Sequence, residues 1–202
     1  MRATTPIVLI VLATLAVPAL ADYGGPPPPT PSTGPLGDGP RGEASARSAA
    51  PGRLERVQQL YASSHEEIVK ADLDLKRGKR KDAEKRWARA RERLYEAVEL
   101  DTTHVESWNL IGFTSRMLGE YEPSFAAYRT ALRQKPLFAL AREYYGQGLL
   151  ETGDLAGAKE QLMWLGKIGD AELAAQLELS ISEYEAEHGG AAGSDSTSSA
   201  AR

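Results

Sequence analysis

The side chains that most often carry out chemistry in proteins are few in this chain, and their spacing matches no catalytic or metal site. His65, His104 and His188 lie far apart, and none has a second histidine or a carboxylate at a metal-ligand spacing. Glu66 and Glu67 follow His65 directly, but neighbouring residues on a helix point to different faces. The chain also lacks cysteine, a G-x-S-x-G sequence, a phosphate-binding loop and a zinc signature. We therefore predict a protein that is not an enzyme and that needs neither a metal nor a cofactor.

One cluster of like charge is present, "KRGKRKDAEKRWARARER", from Lys76 to Arg93. Arginines on phosphates and Trp87 as a stacking platform would bind nucleic acid. The same cations could bind an anionic lipid or a polysaccharide, or could form a solvated or partner-facing side of a helix. Trp87 falls at a core position of the helical pattern, and the chain is acidic overall, so we expect no binding of nucleic acid. A solvated or partner-facing surface is our preferred interpretation.

The first 21 residues have the organisation of a secretory signal peptide: Arg2, an apolar run from Ile7 to Val17, and small residues at Ala19 and Ala21. The apolar run is shorter than the roughly 20 residues that span a bilayer. Without this segment the chain keeps 23 basic and 28 acidic residues, a formal charge of −5. We expect an exported protein, periplasmic or extracellular, with no transmembrane segment after cleavage. Retention of the signal as an anchor is the alternative.

Two further segments contain few apolar side chains that could form a core. Residues 22–52 are rich in proline, glycine and serine, and Leu36 is their only aliphatic side chain larger than alanine. Residues 189–202 are similarly poor in apolar side chains. Too little apolar surface is available to offset the entropy of ordering, so we predict a disordered linker and a disordered tail. The predicted folded domain is therefore 53–188.

Within this domain, apolar residues recur every three or four positions, as they do along one face of an α-helix. Gly78 and Pro136 are typical of helix ends, and Asp154 is typical of an N-cap. Thr103 and Glu106 have the spacing of a capping box. The first apolar stripe consists of Leu54, Val57, Tyr61, Ser64, Ile68, Ala71 and Leu75.

The domain is also similar to itself after a shift of 34 residues. The aligned pairs are Gly112–Gly146, Gly119–Gly153, Glu120–Asp154, Ser124–Ala158, Tyr128–Leu162 and Ala131–Leu165. A period of this length, made of two helices and tight turns, indicates a helical solenoid.

The repeated pattern resembles that of the tetratricopeptide repeat family. One unit matches it with Trp108, Ile111-Gly112, Ser124, Tyr128, Ala131 and Pro136, and the next with Tyr145-Gly146, Leu149, Gly153, Ala158 and Leu162. The second unit departs at Arg142, where the family has tryptophan, and at Asp170, where it has proline. The resemblance implies an all-α, right-handed solenoid of about three helix pairs. We place the repeats at about 64–104, 105–138 and 139–170, followed by a capping helix at 171–187.

The first unit is extended and degenerate. Trp87 aligns with Tyr128 at an offset of 41 residues, whereas Leu94 aligns with Tyr128 at an offset of 34. Both alignments hold if the second helix of this unit is seven residues longer, because about two turns move the apolar stripe by only about 20°.

The resemblance also separates two sets of positions, the residues of the repeat pattern and the residues that lie between them. The residues expected to pack the repeats together are Trp87, Trp108, Gly112, Tyr128, Ala131, Pro136, Gly146 and Ala158. In proteins of this family, the first helix of each pair lines a concave groove that contacts a peptide or a partner's helix. The corresponding groove residues are Glu106, Asn109, Phe113, Arg116 and Met117 in one unit, and Leu140, Glu143, Gln147, Leu150 and Glu151 in the next.

This groove would present an exposed aromatic residue and a methionine among charges of both signs, which suits recognition of a peptide or protein segment. We therefore predict a non-catalytic interaction scaffold of the cell envelope, with a protein or peptide partner. Binding of anionic lipid or polysaccharide through Lys76 to Arg93 is the alternative.

Overall fold

The computed structural model of the protein describes residues 52–188. Regular structure in this range is entirely α-helical, in seven helices, and none of the seven is long and apolar enough to cross a membrane. The predicted signal peptide, nearly all of the predicted linker and the predicted tail lie outside the described residues and stay predictions. The helices are α1 Arg53–Lys76, α2 Arg80–Leu100, α3 Val105–Met117, α4 Tyr121–Gln134, α5 Ala139–Glu151, α6 Leu155–Ile168 and α7 Ala171–His188.

The helices pack as successive hairpins. α1 packs on α2, α3 on α4 and α5 on α6, while α7 packs on both α5 and α6. The first helices of neighbouring pairs also touch, whereas α2, α4 and α6 make no close backbone contact with one another. The first helices therefore lie on the inner side of the stack. This arrangement confirms the predicted all-α solenoid of three helix pairs and a terminal helix.

Each first helix ends in the same kind of turn. Gly78, Gly119 and Gly153 have φ angles of +74°, +77° and +86°, which a residue with a Cβ adopts only at a cost. The residue after each glycine donates its N–H to a carbonyl one turn back, as Asp154 does to Leu149 at 2.8 Å. Gly78 is the one of these three for which the sequence predicts a helix end, and Gly119 and Gly153 form one of the aligned pairs of the repeat.

The helix starts agree with the sequence in one case and differ in another. Asp154 is the N-cap of α6, where its Oδ1 accepts from the N–H of Gly157 at 2.8 Å. The predicted capping box at Thr103 is wrong, because the N-cap of α3 is His104. The Thr103 hydroxyl and N–H both donate to Oδ1 of Asp101, at 2.6 and 2.9 Å, so the threonine is held in the preceding turn.

The first hairpin is longer than the others. α1 has 24 residues against 13 in α3, and α2 has 21 against 14 in α4. The seven additional residues of α2 equal the extension that the two alignments of the first unit require. α1 begins at Arg53, well before residue 64, and its first turns pack Val57 and Leu60 against Ala97 of α2.

Two glycines allow close approach between helices. A Cβ at Gly112 of α3 would lie 2.6 Å from the ring of Tyr128 on α4, and one at Gly146 of α5 would lie 2.6 Å from Leu177 on α7. Such distances are shorter than real Cβ contacts, so only glycine fits without a shift of the neighbour. Of the residues expected to pack the repeats together, Trp87, Tyr128, Ala131 and Ala158 are fully buried, whereas Trp108 is partly exposed and Pro136 is exposed.

Arg142 stands where the preceding unit has Trp108, and it makes an equivalent contact. The indole N–H of Trp108 donates to the carbonyl of Thr102 at 2.9 Å. Nη2 of Arg142 donates to the carbonyl of Pro136, at the corresponding position of its own unit, also at 2.9 Å. The guanidinium also stacks over the ring of Trp164, 4.4 Å from its centroid. At position 142, where the sequence departs from the repeat pattern, the guanidinium N–H of arginine has thus replaced the indole N–H of tryptophan.

Candidate functional site

The inner face, which we define as the surface shared by α1, α3 and α5, contains the predicted groove residues at different depths. The expected exposure of Phe113 is wrong. This side chain is 8% exposed, because the ring of Tyr144 on α5 packs on it with centroids 5.1 Å apart. The other buried members of the predicted set are Asn109, Glu143 and Leu150, whereas Glu106, Arg116, Met117, Leu140 and Gln147 are partly exposed and Glu151 is exposed.

Arg116 ties α3 to α5. Its Nη1 pairs with Oε1 of Glu151 at 2.7 Å, and its side chain is only 9% exposed. The guanidinium carbon lies 5.7 Å from the centre of the Phe113 ring. Burial lowers the pKa of Arg116, but the charges of Glu151 and Glu143 outweigh this effect and hold the pKa above its usual range. Arg116 is therefore a charged contact between two repeats.

A second polar contact ties α5 to α7. Nε2 of Gln147 donates to Oε1 of Glu143 at 3.0 Å and to Oγ of Ser180 on α7 at 2.9 Å. Glu143 is buried, and burial raises the pKa of its carboxyl. Of the five groove predictions on α5, Gln147 thus contacts the terminal helix directly, and Glu143 accepts a hydrogen bond from Gln147.

Two further side chains on the inner face, both tyrosines, are partly open to solvent. Tyr61 of α1 and Tyr144 of α5 pack against the core cluster that contains Phe113, and both keep an exposed edge. The ring of Tyr61 meets that of His104 edge-on, with centroids 5.3 Å apart. Burial and the charge of Glu106 raise the pKa of Tyr61. Three successive first helices therefore contribute to one aromatic surface.

Asp72 of α1 belongs to the same surface. It is 8% exposed, its Oδ1 lies outside hydrogen-bond geometry with every described donor, and the buried indole N–H of Trp87 is the donor that acts on the carboxylate. Burial raises the pKa of its carboxyl to about 6, against opposing contributions from Lys76 and the indole N–H of Trp87. Burial raises the pKa of Tyr144, and the charge of Asp72 adds to this effect. Tyr144 therefore lies within range of the charge of Asp72.

Asp72, Tyr61 and Tyr144 are not among the predicted groove residues. A signal for Asp72 existed, because the offset of 41 residues that aligns Trp87 with Tyr128 also aligns Asp72 with Phe113. Tyr61 and Tyr144 lie outside the groove positions of the repeat pattern, and only the packing of α5 across α3 brings them together.

The basic stretch from Lys76 to Arg93 is partly neutralised by carboxylates. Arg86 pairs with Asp74 at 2.7 Å and with Glu67 at 3.2 Å. Arg91 pairs with Glu120 at 2.6 Å. Trp87 is 1% exposed and has no face free to stack on a base.

A shallow groove of about 460 Å³ lies away from the inner face, between α4, α5 and α6. Arg129 and Arg133 line one side, and Glu160 and Asp154 line the other. Its guanidinium groups and carboxylates are of mixed sign, and it opens widely to solvent. It offers no set of groups that converge on one ligand.

Together, the paired helices, the glycine turns and the inner layer of first helices define a tetratricopeptide-like helical repeat fold. Neither a comparison with protein-family profiles nor a search of curated sequences gave a match. Among solved structures, the chain is similar to SycD, the type III secretion translocator chaperone of Yersinia enterocolitica. The TM-score is 0.53 at 18% identity, over 76% of this chain and 98% of SycD.

A second similar structure is MamA, with a TM-score of 0.34 at 15% identity, over 65% of this chain and 90% of that chain. At these identities the comparison with SycD concerns the fold alone, and the score for MamA is too low to support an argument.

Proposed function

We propose that the protein is a non-catalytic scaffold that binds a peptide or protein segment on its inner face. The observation that carries this proposal is the surface formed by Tyr61, Glu106 and Tyr144, one partly exposed residue from each of three successive first helices. Tyrosine offers a large, rigid and amphipathic contact area, and for this reason it is enriched where proteins bind one another. SycD, which shares the fold, is described as the chaperone of a secretion translocator, and this supports a protein partner.

The proposed place of action is outside the cytoplasm, in the cell envelope or beyond it. This part of the proposal rests on the signal-like residues 1–21 and on the Pro/Gly-rich segment after them. Such a segment would give the helical domain reach from its point of attachment or export.

The test compares binding by the full chain and by two variants of the inner face, Tyr61→Ala and Tyr144→Ala. Immobilised protein is incubated with extract of its native envelope, and captured proteins are identified by mass spectrometry. Tyr95→Ala is the matched control, because Tyr95 is an exposed tyrosine on α2. We expect a partner that both inner-face variants lose and that the Tyr95 variant keeps. A partner lost equally with all three variants, or no specific partner, would contradict the proposal.

A second candidate function is binding of an anionic surface by the turn between α1 and α2. Lys76, Arg77, Lys79 and Lys81 are exposed there and form no ion pair with another described residue. The test is sedimentation with vesicles that contain anionic lipid, at low and at moderate salt. Electrostatic binding should collapse as salt rises, because screening shortens the range of these charges. Binding that survives moderate salt, or that persists in Lys79→Gln/Lys81→Gln, would contradict this candidate.

A further inference from the structure

We propose that the inner face holds a cationic side chain, a lysine or arginine of the bound segment, with the carboxylate of Asp72 as its counter-ion. This inference rests on the proposed function, because it names the chemistry of the segment that the inner face would bind.

Asp72 is a buried carboxylate that has a neutral donor beside it, the indole N–H of Trp87, but no cation at ion-pair distance among the described residues. Its Oδ1 is inaccessible to solvent and accepts no hydrogen bond, and none of the ion pairs among described residues includes it. Buried carboxylates are ordinarily paired or hydrogen-bonded, because removing the charge from water is costly. A cation supplied from outside would complete this site.

Asp74 provides an internal comparison. It lies two residues further along α1 and is equally buried, at 8% exposure. Its Oδ2 accepts from Nε of Arg86 on α2 at 2.7 Å. α2 thus supplies an arginine for Asp74, whereas it supplies only the neutral indole N–H of Trp87 for Asp72.

The neighbours of Asp72 suit the stem and the charge of a cationic side chain. The ring of Tyr144, which packs on that of Phe113, forms the aromatic part of this surface beside Asp72. Aromatic faces attract ammonium and guanidinium groups and also cover their methylene stems. Tyr144 lies within reach of the charge of Asp72, so aromatic ring and carboxylate would act on the same group.

The remaining charges near the site favour a cation over an anion. Glu106 of α3 is half-exposed and only loosely paired, with Lys135 Nζ at 3.6 Å. Arg116 is already paired with Glu151 at 2.7 Å. Lys76 lies one turn beyond Asp72, but it is exposed and its amine is not within 4 Å of that carboxylate. An anionic group at this site would therefore be repelled by the charge of Asp72, while the guanidinium of Arg116 is already paired.

The test is selection of peptides from a random dodecapeptide library displayed on phage, with the full chain as bait. Selected peptides are then synthesised, and their affinity is measured by fluorescence polarisation. We expect enrichment of lysine or arginine at one position relative to the unselected library. Replacing that lysine by norleucine, or that arginine by citrulline, should weaken binding by about tenfold or more, since a desolvated charge pair is lost. This comparison uses the unaltered protein and does not depend on the folding of a variant.

Protein variants assign the effect to one carboxylate. Asp72→Asn should weaken binding of the selected peptide by about tenfold or more, and Asp74→Asn, which makes the same change of charge and size, should not. Circular dichroism establishes that both variants are folded at the temperature of the assay.

Each other outcome has a definite meaning. Peptides that lose affinity with Tyr144→Ala but show no preference for a cation, or bind Asp72→Asn unchanged, would overturn the inference and leave the proposed function in place. Failure to select any peptide whose binding depends on Tyr61 or Tyr144 would overturn both.

Discussion

Arg116 shows how a side chain with the character of a binding residue can serve the fold. Its position in the repeat pattern predicts contact with a partner, but its guanidinium is paired with Glu151 of the next repeat and lies beside the Phe113 ring. A partner would have to break this pair to reach it. Substitution of Arg116 would therefore report on stability before it reported on binding.

Replacing Arg116 by alanine should lower the free energy of unfolding by about 2 kcal/mol, because a charge-assisted hydrogen bond between repeats is lost. Urea unfolding monitored by circular dichroism measures this change. Arg129→Ala is the control, since Arg129 is exposed on α4 and forms no ion pair with a described residue. Equal stability of the two variants would contradict the structural role of Arg116.

Asp72 should make stability depend on pH in an unusual direction for a carboxylate. Its folded pKa of about 6 lies above the usual value of an aspartate, about 3.9. The folded state therefore binds more protons than the unfolded state between about pH 4 and 6, and stability falls as pH rises through this window. Asp72→Asn removes the effect, so the variant should exceed the wild type in stability at pH 7 and match it near pH 4. Urea unfolding at both pH values measures the difference.

Asp74→Asn should show the opposite dependence. The hydrogen bond from Arg86 holds the pKa of Asp74 below its usual value, so its stabilising contribution is present above the ordinary pKa and is lost as pH falls. This variant should be less stable than the wild type at pH 7. Parallel pH profiles for the two variants would contradict the different environments assigned to the two carboxylates.

At the scale of the elements, the contact between α3 and α4 depends on the absence of a side chain at Gly112. An alanine there would bring its Cβ to 2.6 Å from the ring of Tyr128. Overpacking of this kind costs about 1–3 kcal/mol, so Gly112→Ala should lower the midpoint of thermal unfolding.

The matched control is Gly166→Ala in α6. A Cβ at Gly166 would meet nothing within 4 Å, and alanine is a better helix former than glycine by about 1 kcal/mol. Gly166→Ala should therefore raise the midpoint of thermal unfolding. Equal loss of stability in both variants would contradict the close contact at Gly112.

At the scale of the whole molecule, α7 closes the stack. Its Leu177 and Ile181 are buried against α5 and α6, in the cluster that also contains Leu149 and Leu165. Ending the chain after Gly169 should expose this cluster and cause aggregation or a marked loss of cooperative unfolding, because a repeat stack needs its end covered. Ending it after His188 should leave thermal unfolding unchanged. Size-exclusion chromatography and calorimetry of the two truncations measure the difference.

The sequence predicted the helices and their pairing because these depend on local periodicity, on glycine turns and on the 34-residue repeat. It failed at Thr103 because a local competitor, Asp101 two residues earlier, accepts the hydrogen bonds of the threonine. It failed at Phe113 because the residue that covers it, Tyr144, lies far along the chain. The candidate site was predicted on the correct helices, but its open residues, Tyr61 and Tyr144, become neighbours only through packing of three repeats.

The most direct test of the inner face as a binding surface is site-specific photocrosslinking. The photoreactive residue p-benzoylphenylalanine replaces Tyr144 in one variant and Tyr95, an exposed tyrosine of α2, in another. After irradiation of cells that express each variant, adducts are identified by mass spectrometry. A protein adduct that forms from position 144 and is absent from position 95 is the predicted result. Adducts of the same protein from both positions, or from position 95 alone, would contradict the assignment of binding to the inner face.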